Sequence, residues 1–130
     1  MGVQISWDDE ARQALRLTFY APWTWAEYDA ISDDIEHKFN STSNLVTLLI
    51  DLRNAGEMPI EVIHRLRDAY ADATYNLGGY IFIGASEHFT TLMTVADNYY
   101  TMLGGHLDFT FAATWDEARN LLKQSSINRA

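Results

Sequence analysis

A single α/β domain with a mainly parallel sheet is the fold class this sequence predicts, and three observations predict it. Apolar, strand-like runs alternate with helix-period segments along the chain. Two of the runs, 45–52 and 80–84, are nearly continuous in apolar residues, as strands covered on both faces are. The chain also opens with two alternating segments around an acidic turn, the pattern of an antiparallel hairpin. The expected order is ββαβαβαβα, giving a mixed four- to five-stranded sheet with four helices.

Each element has its own signal. Val3, Ile5 and Trp7 share one side of a first strand, and Asp8-Asp9-Glu10 breaks it as a turn. Leu15, Leu17 and Phe19 share a face of a second strand. Thr24 with Glu27 reads as a capping box, and Trp23 with Tyr28 as a hydrophobic staple, opening a helix. Tyr28, Ile31, Ile35 and Phe39 are its inward stripe, with Asp29, Asp33 and Glu36 outside. The third strand is 45–52. Pro59 suits the first turn of a second helix, whose stripe is Ile63, Leu66, Tyr70, Ala73 and Leu77 and whose end is Gly78-Gly79. The fourth strand is 80–84. Ser86 caps a third helix with Phe89, Leu92, Met93, Ala96, Tyr100 and Leu103 inside, ended by Gly104-Gly105. A last strand covers 109–113. Thr114 and Glu117 form another capping box, before a helix that turns Ala118, Leu121 and Leu122 inward. The domain spans 1–124, and the tail 125–130 is expected to fray.

Composition narrows the function. The chain has 130 residues, 48% hydrophobic and 13% aromatic, enough for one packed core. It has no cysteine, which excludes disulfides, thiolate metal sites and cysteine nucleophiles. The net charge of −9, with Lys38 and Lys123 the only lysines, argues against nucleic acid and anionic membrane as partners. No segment approaches the roughly 18 apolar residues that span a bilayer, so no membrane insertion is expected. Asp8, Asp9 and Glu10 stand where a signal peptide would place other residues. A soluble cytoplasmic protein is the expectation.

Three pieces carry a family resemblance: Leu48-Leu49-Ile50-Asp51-Leu52, Ile81-Phe82-Ile83-Gly84-Ala85-Ser86, and Phe111-Ala112-Ala113-Thr114-Trp115-Asp116-Glu117-Ala118. In this order and spacing they resemble a STAS domain, more narrowly its divergent SpoIIAA-like branch, the bacterial anti-sigma factor antagonist type. The resemblance implies a SpoIIAA-like fold and non-enzymatic signalling by partner binding, with an anti-sigma factor or sensor protein as the kind of partner. In phosphorylated members a serine opens the helix after the strand-end Asp. The matching loop here, Arg53-Asn54-Ala55-Gly56-Glu57-Met58-Pro59, has no Ser, Thr or Tyr. The resemblance therefore implies a fixed docking surface and no usual phosphoacceptor.

The turn after a strand's carboxyl end is where α/β folds place ligands and switches. Asp51, Arg53, Asn54, Glu57, Met58, His64 and Arg67 are accordingly the candidate partner-binding residues. Asp51 itself is expected to cap the next turn or pair with Arg53. Trp23, Trp25, Tyr99 and Tyr100 are candidate interface or ligand aromatics, because Tyr99 and Tyr100 are adjacent on a helix and cannot both face the core, and Trp23 and Trp25 flank a cap, which leaves one partly exposed. They leave room for a homodimer or for a small apolar ligand, as in a Sec14-type lipid module. No catalytic residue, metal or cofactor is expected. Asp33 and His37 lack a third ligand, Ser86 with His88 lacks an orienting group, and an enzyme ranks last.

Overall fold

The computed structural model describes residues 2–8, 12–72, 76–105 and 108–129, leaving aside the side chains of 67, 69–72 and 125–129. Among these residues the chain forms β1 (Val3–Trp7), β2 (Ala14–Tyr20), α1 (Trp25–Asn40), β3 (Val46–Asn54), α2 (Ile60–Asp72), β4 (Leu77–Ile83), α3 (Glu87–Met102), β5 (Phe109–Ala112) and α4 (Trp115–Arg129). The expected order of elements is the observed one.

The five strands lie side by side in chain order, β1-β2-β3-β4-β5. The opening hairpin is antiparallel, pairing Ile5 with Leu17 and Trp7 with Leu15. All later pairings are parallel, with Leu48 opposite Tyr80 and Ile50 opposite Phe82. Each crossover after β2 steps one strand in the same direction. Crossovers of one hand then place their helices on one face of the sheet. Accordingly α1, α2 and α3 share a core with Leu17, Phe19, Leu48, Ile50 and Phe82. Only α4 returns beneath the other face, where Ala118, Trp115, Leu121 and Leu122 pack on Leu49, Ile81, Ile83 and Ala112. Because the strand order never reverses, the sheet has no crevice of the topological-switch kind.

The period-2 alternation of β3 sorts its side chains between these layers. Val46, Leu48, Ile50 and Leu52 enter the larger core, whereas Leu49 enters the smaller one. The larger core centres on aromatic packing. Phe82 meets Phe89 edge-on at 5.2 Å and lies 5.6 Å from Phe111 between ring centroids. Asn76 stitches the end of α1 to β4, its amide donating to the Phe39 carbonyl at 2.8 Å and the Thr42 carbonyl at 3.2 Å.

Two element-level expectations need correction. Leu77, Gly78 and Gly79 belong to β4 and do not end α2. Gly79 has φ +123, and a Cβ there would sit 2.9 Å from the Asp108 carbonyl oxygen. The neighbouring β3–β4 register also shifts between Val46 and Thr47. The glycine thus serves close backbone approach inside a sheet, a role that reads like a helix stop in sequence. Leu103 is the C-cap of α3 and lies in solvent, not inside. The helix α4 runs to Arg129, so its helical bounds extend beyond 124. Tyr70, Ala73 and the expected turn at Asp9 and Glu10 lie outside the described residues or side chains.

Candidate functional site

The site follows from the parallel pairing of β2 and β3. Tyr20 lies opposite Asn54, so the carboxyl ends of the two strands finish side by side. The segment after β2, Ala21 to Thr24, therefore meets the segment after β3, Ala55 to Pro59. The Ala21 N–H donates to the Asn54 carbonyl at 2.8 Å, and the peptide between Ala21 and Pro22 is cis. Gly56 adopts φ +69, and a Cβ there would stand 3.1 Å from the Ala21 Cβ. Between the two segments runs an open groove of about 430 Å³ lined by Pro22, Trp23, Trp25, Ala55, Glu57 and Pro59, among others. Two sets of residues singled out in sequence, the Trp pair and the strand-end loop, form its opposite sides.

The wall at Trp23 and Trp25 is held from several directions. Thr24 Oγ1 accepts from the Glu27 N–H at 3.1 Å, and Glu27 accepts in return from the Thr24 N–H at 3.1 Å, completing the expected capping box. The other Glu27 carboxylate oxygen accepts from the Gly2 N–H at 2.6 Å, tying the start of the chain to the helix. That bond from Gly2, helped by those from Thr24, holds the Glu27 carboxyl below the ordinary range despite some desolvation. Trp23 and Tyr28 both pack on Phe19, which stands between the expected staple partners. Trp25 meets Trp23 edge-on at 5.1 Å. One face of Trp25 is covered by the Arg65 guanidinium, 4.1 Å from its ring centre, and Arg65 also pairs with Asp29 at 2.8 Å. Arg65 therefore braces α1 against α2.

A buried charge lies on β3 just before the loop that borders the groove. Asp51 is 3% exposed and points to the α4 face of the sheet. Its oxygens accept from the Arg53 backbone N–H (3.1 Å), Arg53 Nε (3.0 Å), Arg53 Nη2 (2.8 Å) and Trp115 Nε1 (3.2 Å). Burial pushes the Asp51 carboxyl up, but the Arg53 hydrogen bonds and charge, together with the Trp115 bond, outweigh it and leave the carboxyl below its ordinary value. The side-chain hydrogen bonds that Arg53 donates to Asp51 in turn raise Arg53. The pairing of Asp51 with Arg53 is thus the one the sequence suggested. Trp115, supplied by α4, was not anticipated. Its ring lies 4.3 Å from the Arg16 guanidinium and 5.4 Å from that of Arg119, and both arginines pair with Asp8. Only the alternation of β3, which sends Asp51 to the face opposite Ile50, hinted at a partner on the last helix.

The remaining candidates divide clearly. Glu57 is exposed in the groove lining, whereas Asn54 and the half-exposed Arg53 precede the lining residues in sequence. Glu57 has no ion-pair partner among the described residues. Met58 is buried at 5% and anchors the loop into the core. His64 is exposed on α2, whereas the Arg67 side chain lies outside the described residues. Tyr99 faces solvent and its neighbour Tyr100 packs inward, both on α3 and apart from the groove-lining residues. Ser86 Oγ accepts from the Phe89 N–H at 3.1 Å as a helix cap. Asp33 and His37 are both exposed, and no group of three His, Asp or Glu side chains among the described residues could hold a metal. Pro59 carried only a helix-start signal in sequence, and Pro22, which also lines the groove, was not singled out.

No helix among the described residues is long and apolar enough to cross a membrane. Comparisons with family models, curated proteins and solved structures give no match to this chain.

Proposed function

We propose that this chain is a non-enzymatic regulatory or protein-interaction domain of the STAS, SpoIIAA-like kind, which docks a protein partner at the groove between the Trp23–Trp25 segment and the Ala55–Pro59 loop. The observation that carries the proposal is the groove itself. It joins two tryptophans and two prolines to Glu57, which has no ion-pair partner among the described residues, at the carboxyl ends of adjacent parallel strands. Interfaces favour such a combination of aromatic surface with a polar rim. The loop has no hydroxyl between Arg53 and Pro59 to be phosphorylated. Thr24, the hydroxyl residue on the groove's other side, has its oxygen engaged as a helix cap. The surface therefore works as a constant docking edge, held in shape by the buried Asp51 and Met58 and not switched by a phosphate.

The test is quantitative affinity capture from the source organism, with wild type compared against Glu57→Lys and Asn54→Asp, both exposed substitutions that leave the Asp51 network intact. A protein retained by wild type and lost from these variants supports the groove as the docking edge. Capture that is unchanged by both overturns it. The aromatic lining and the volume, within the usual range of about 300–1,000 Å³ for ligand sites, also favour a second reading as an apolar-ligand module. Native mass spectrometry of freshly purified protein separates the two, because a co-purified acyl compound displaced by Glu57→Lys would identify the second.

A further inference from the structure

The helix α3 carries more apolar surface than its core contact uses. Phe89 and Met93 are buried, and Leu92, Ala96 and Tyr100 pack beside them. A second band remains in water: Val95 is 62% exposed, Tyr99 60%, Met102 82% and Leu103 68%. Val95, Tyr99 and Met102 fall at i, i+4 and i+7, so they form one continuous stripe. These four side chains leave roughly 500 Å² of mostly apolar surface exposed, at the size where a monomer's patches usually have a binding role.

The charges around the stripe select what covers it. The residues flanking it, Thr91, Thr94, Asn98 and Thr101, are uncharged. Asp97 lies two residues from both Val95 and Tyr99, which at about 100° per residue turns it to the far side of the helix. The helix contains no Lys or Arg, so it lacks the basic rim that helices lying on anionic membranes use. In a twofold contact each residue near the axis meets its own copy, so any charge there would oppose itself. A chain of net charge −9 repels itself least across an uncharged face, and this stripe is one. Two copies would together bury at most roughly 1,000 Å² from the stripes, the size of a weak, reversible contact.

We infer that the Val95–Tyr99–Met102–Leu103 face of α3 is a self-association surface that joins two copies of this chain through an isologous helix-to-helix contact. It shares no residue with the groove and stands or falls independently of the proposed partner docking. The contact is small, so the dimer forms reversibly, with a dissociation constant of roughly micromolar or weaker.

Sedimentation equilibrium of the full chain, from about 5 to about 500 μM, tests it. The wild type is expected to move from monomer to dimer across that range. Met102→Glu and Val95→Glu, both at solvent-facing positions, are expected to weaken association at least about tenfold by opposing two carboxylates at the axis. Leu45→Glu, an exposed apolar position outside the stripe, is expected to dimerise as the wild type does. A wild type that stays monomeric throughout overturns the inference, as does a Met102→Glu variant that dimerises normally with unchanged circular dichroism. Flotation of monomeric wild type with phosphatidylcholine vesicles, abolished by Met102→Glu, would also overturn it and assign the stripe to lipid.

Discussion

Replacing Asp51 by Asn tests the buried network directly, because the side chain keeps its shape and loses its charge. All four groups at Asp51 are donors: the Arg53 backbone N–H, Arg53 Nε and Nη2, and Trp115 Nε1. An amide offers one accepting oxygen and turns an NH₂ toward the donors left over. A hydrogen bond to a charged group is worth about 1.5–3 kcal/mol net, and an unsatisfied buried donor costs about 1–3 kcal/mol. Arg53 is half exposed and recovers much of its solvation from water, which removes most of its share of the loss. The expected cost is about 2–3 kcal/mol, which lowers the melting temperature by roughly 8–12 °C for a domain of this length. The pH dependence carries a further signature. The folded Asp51 carboxyl lies below its unfolded value, so its contribution is fully present above the unfolded value of about 3.9 and is lost as pH falls through the lower folded value. The gap between wild type and variant, measured by urea unfolding at neutral pH and at successively lower pH, should narrow toward acid. The depressed Glu27 contributes to both proteins and cancels in that difference. Equal unfolding midpoints at neutral pH, or a gap that stays constant through the acid range, would refute the assignment of Asp51 as a charged anchor.

Two glycine substitutions separate backbone strain from side-chain crowding. Gly84 and Gly104 have φ +68 and +86, but a Cβ at Gly84 would meet the Arg53 side chain whereas one at Gly104 meets nothing within 4 Å. Gly104→Ala should therefore cost about 1–2 kcal/mol for the left-handed backbone alone. Gly84→Ala should cost about 1–2 kcal/mol more as Arg53 leaves Asp51, an excess that disappears in an Arg53→Ala background when both are compared by urea unfolding. Tyr80→Phe keeps the ring in the core but removes the hydroxyl that donates to the Leu66 carbonyl at 2.7 Å. It should lower the unfolding free energy by about 1–2 kcal/mol, read as a lower urea midpoint with an unchanged slope, and an unaltered midpoint would show that water replaces the bond.

The amino-acid sequence determined what depends on neighbours along the chain. The caps at Thr24 and Ser86 involve residues three apart, and both form as read. The period-2 strands and the inward stripe of α1 express the same local logic, because one face of each element must leave water. The pairing of Asp51 with Arg53 spans two residues and was legible for that reason. Tertiary structure decided whatever depends on who lies beside whom. Gly78-Gly79 reads as a helix stop because glycine's freedom looks alike in a cap and in a strand, and only the nearby Asp108 carbonyl distinguishes them. Trp115 reaches Asp51 across 64 positions, a contact that exists because α4 alone folds under the second face of the sheet. The groove has the same origin: neither Trp23 nor Glu57 specifies it, and it opens where two parallel strands end at the same level and their following loops meet. Local sequence fixes the short-range hydrogen bonds and the face each residue takes within its element, while the order of strands in the sheet settles which distant residues become neighbours and bond.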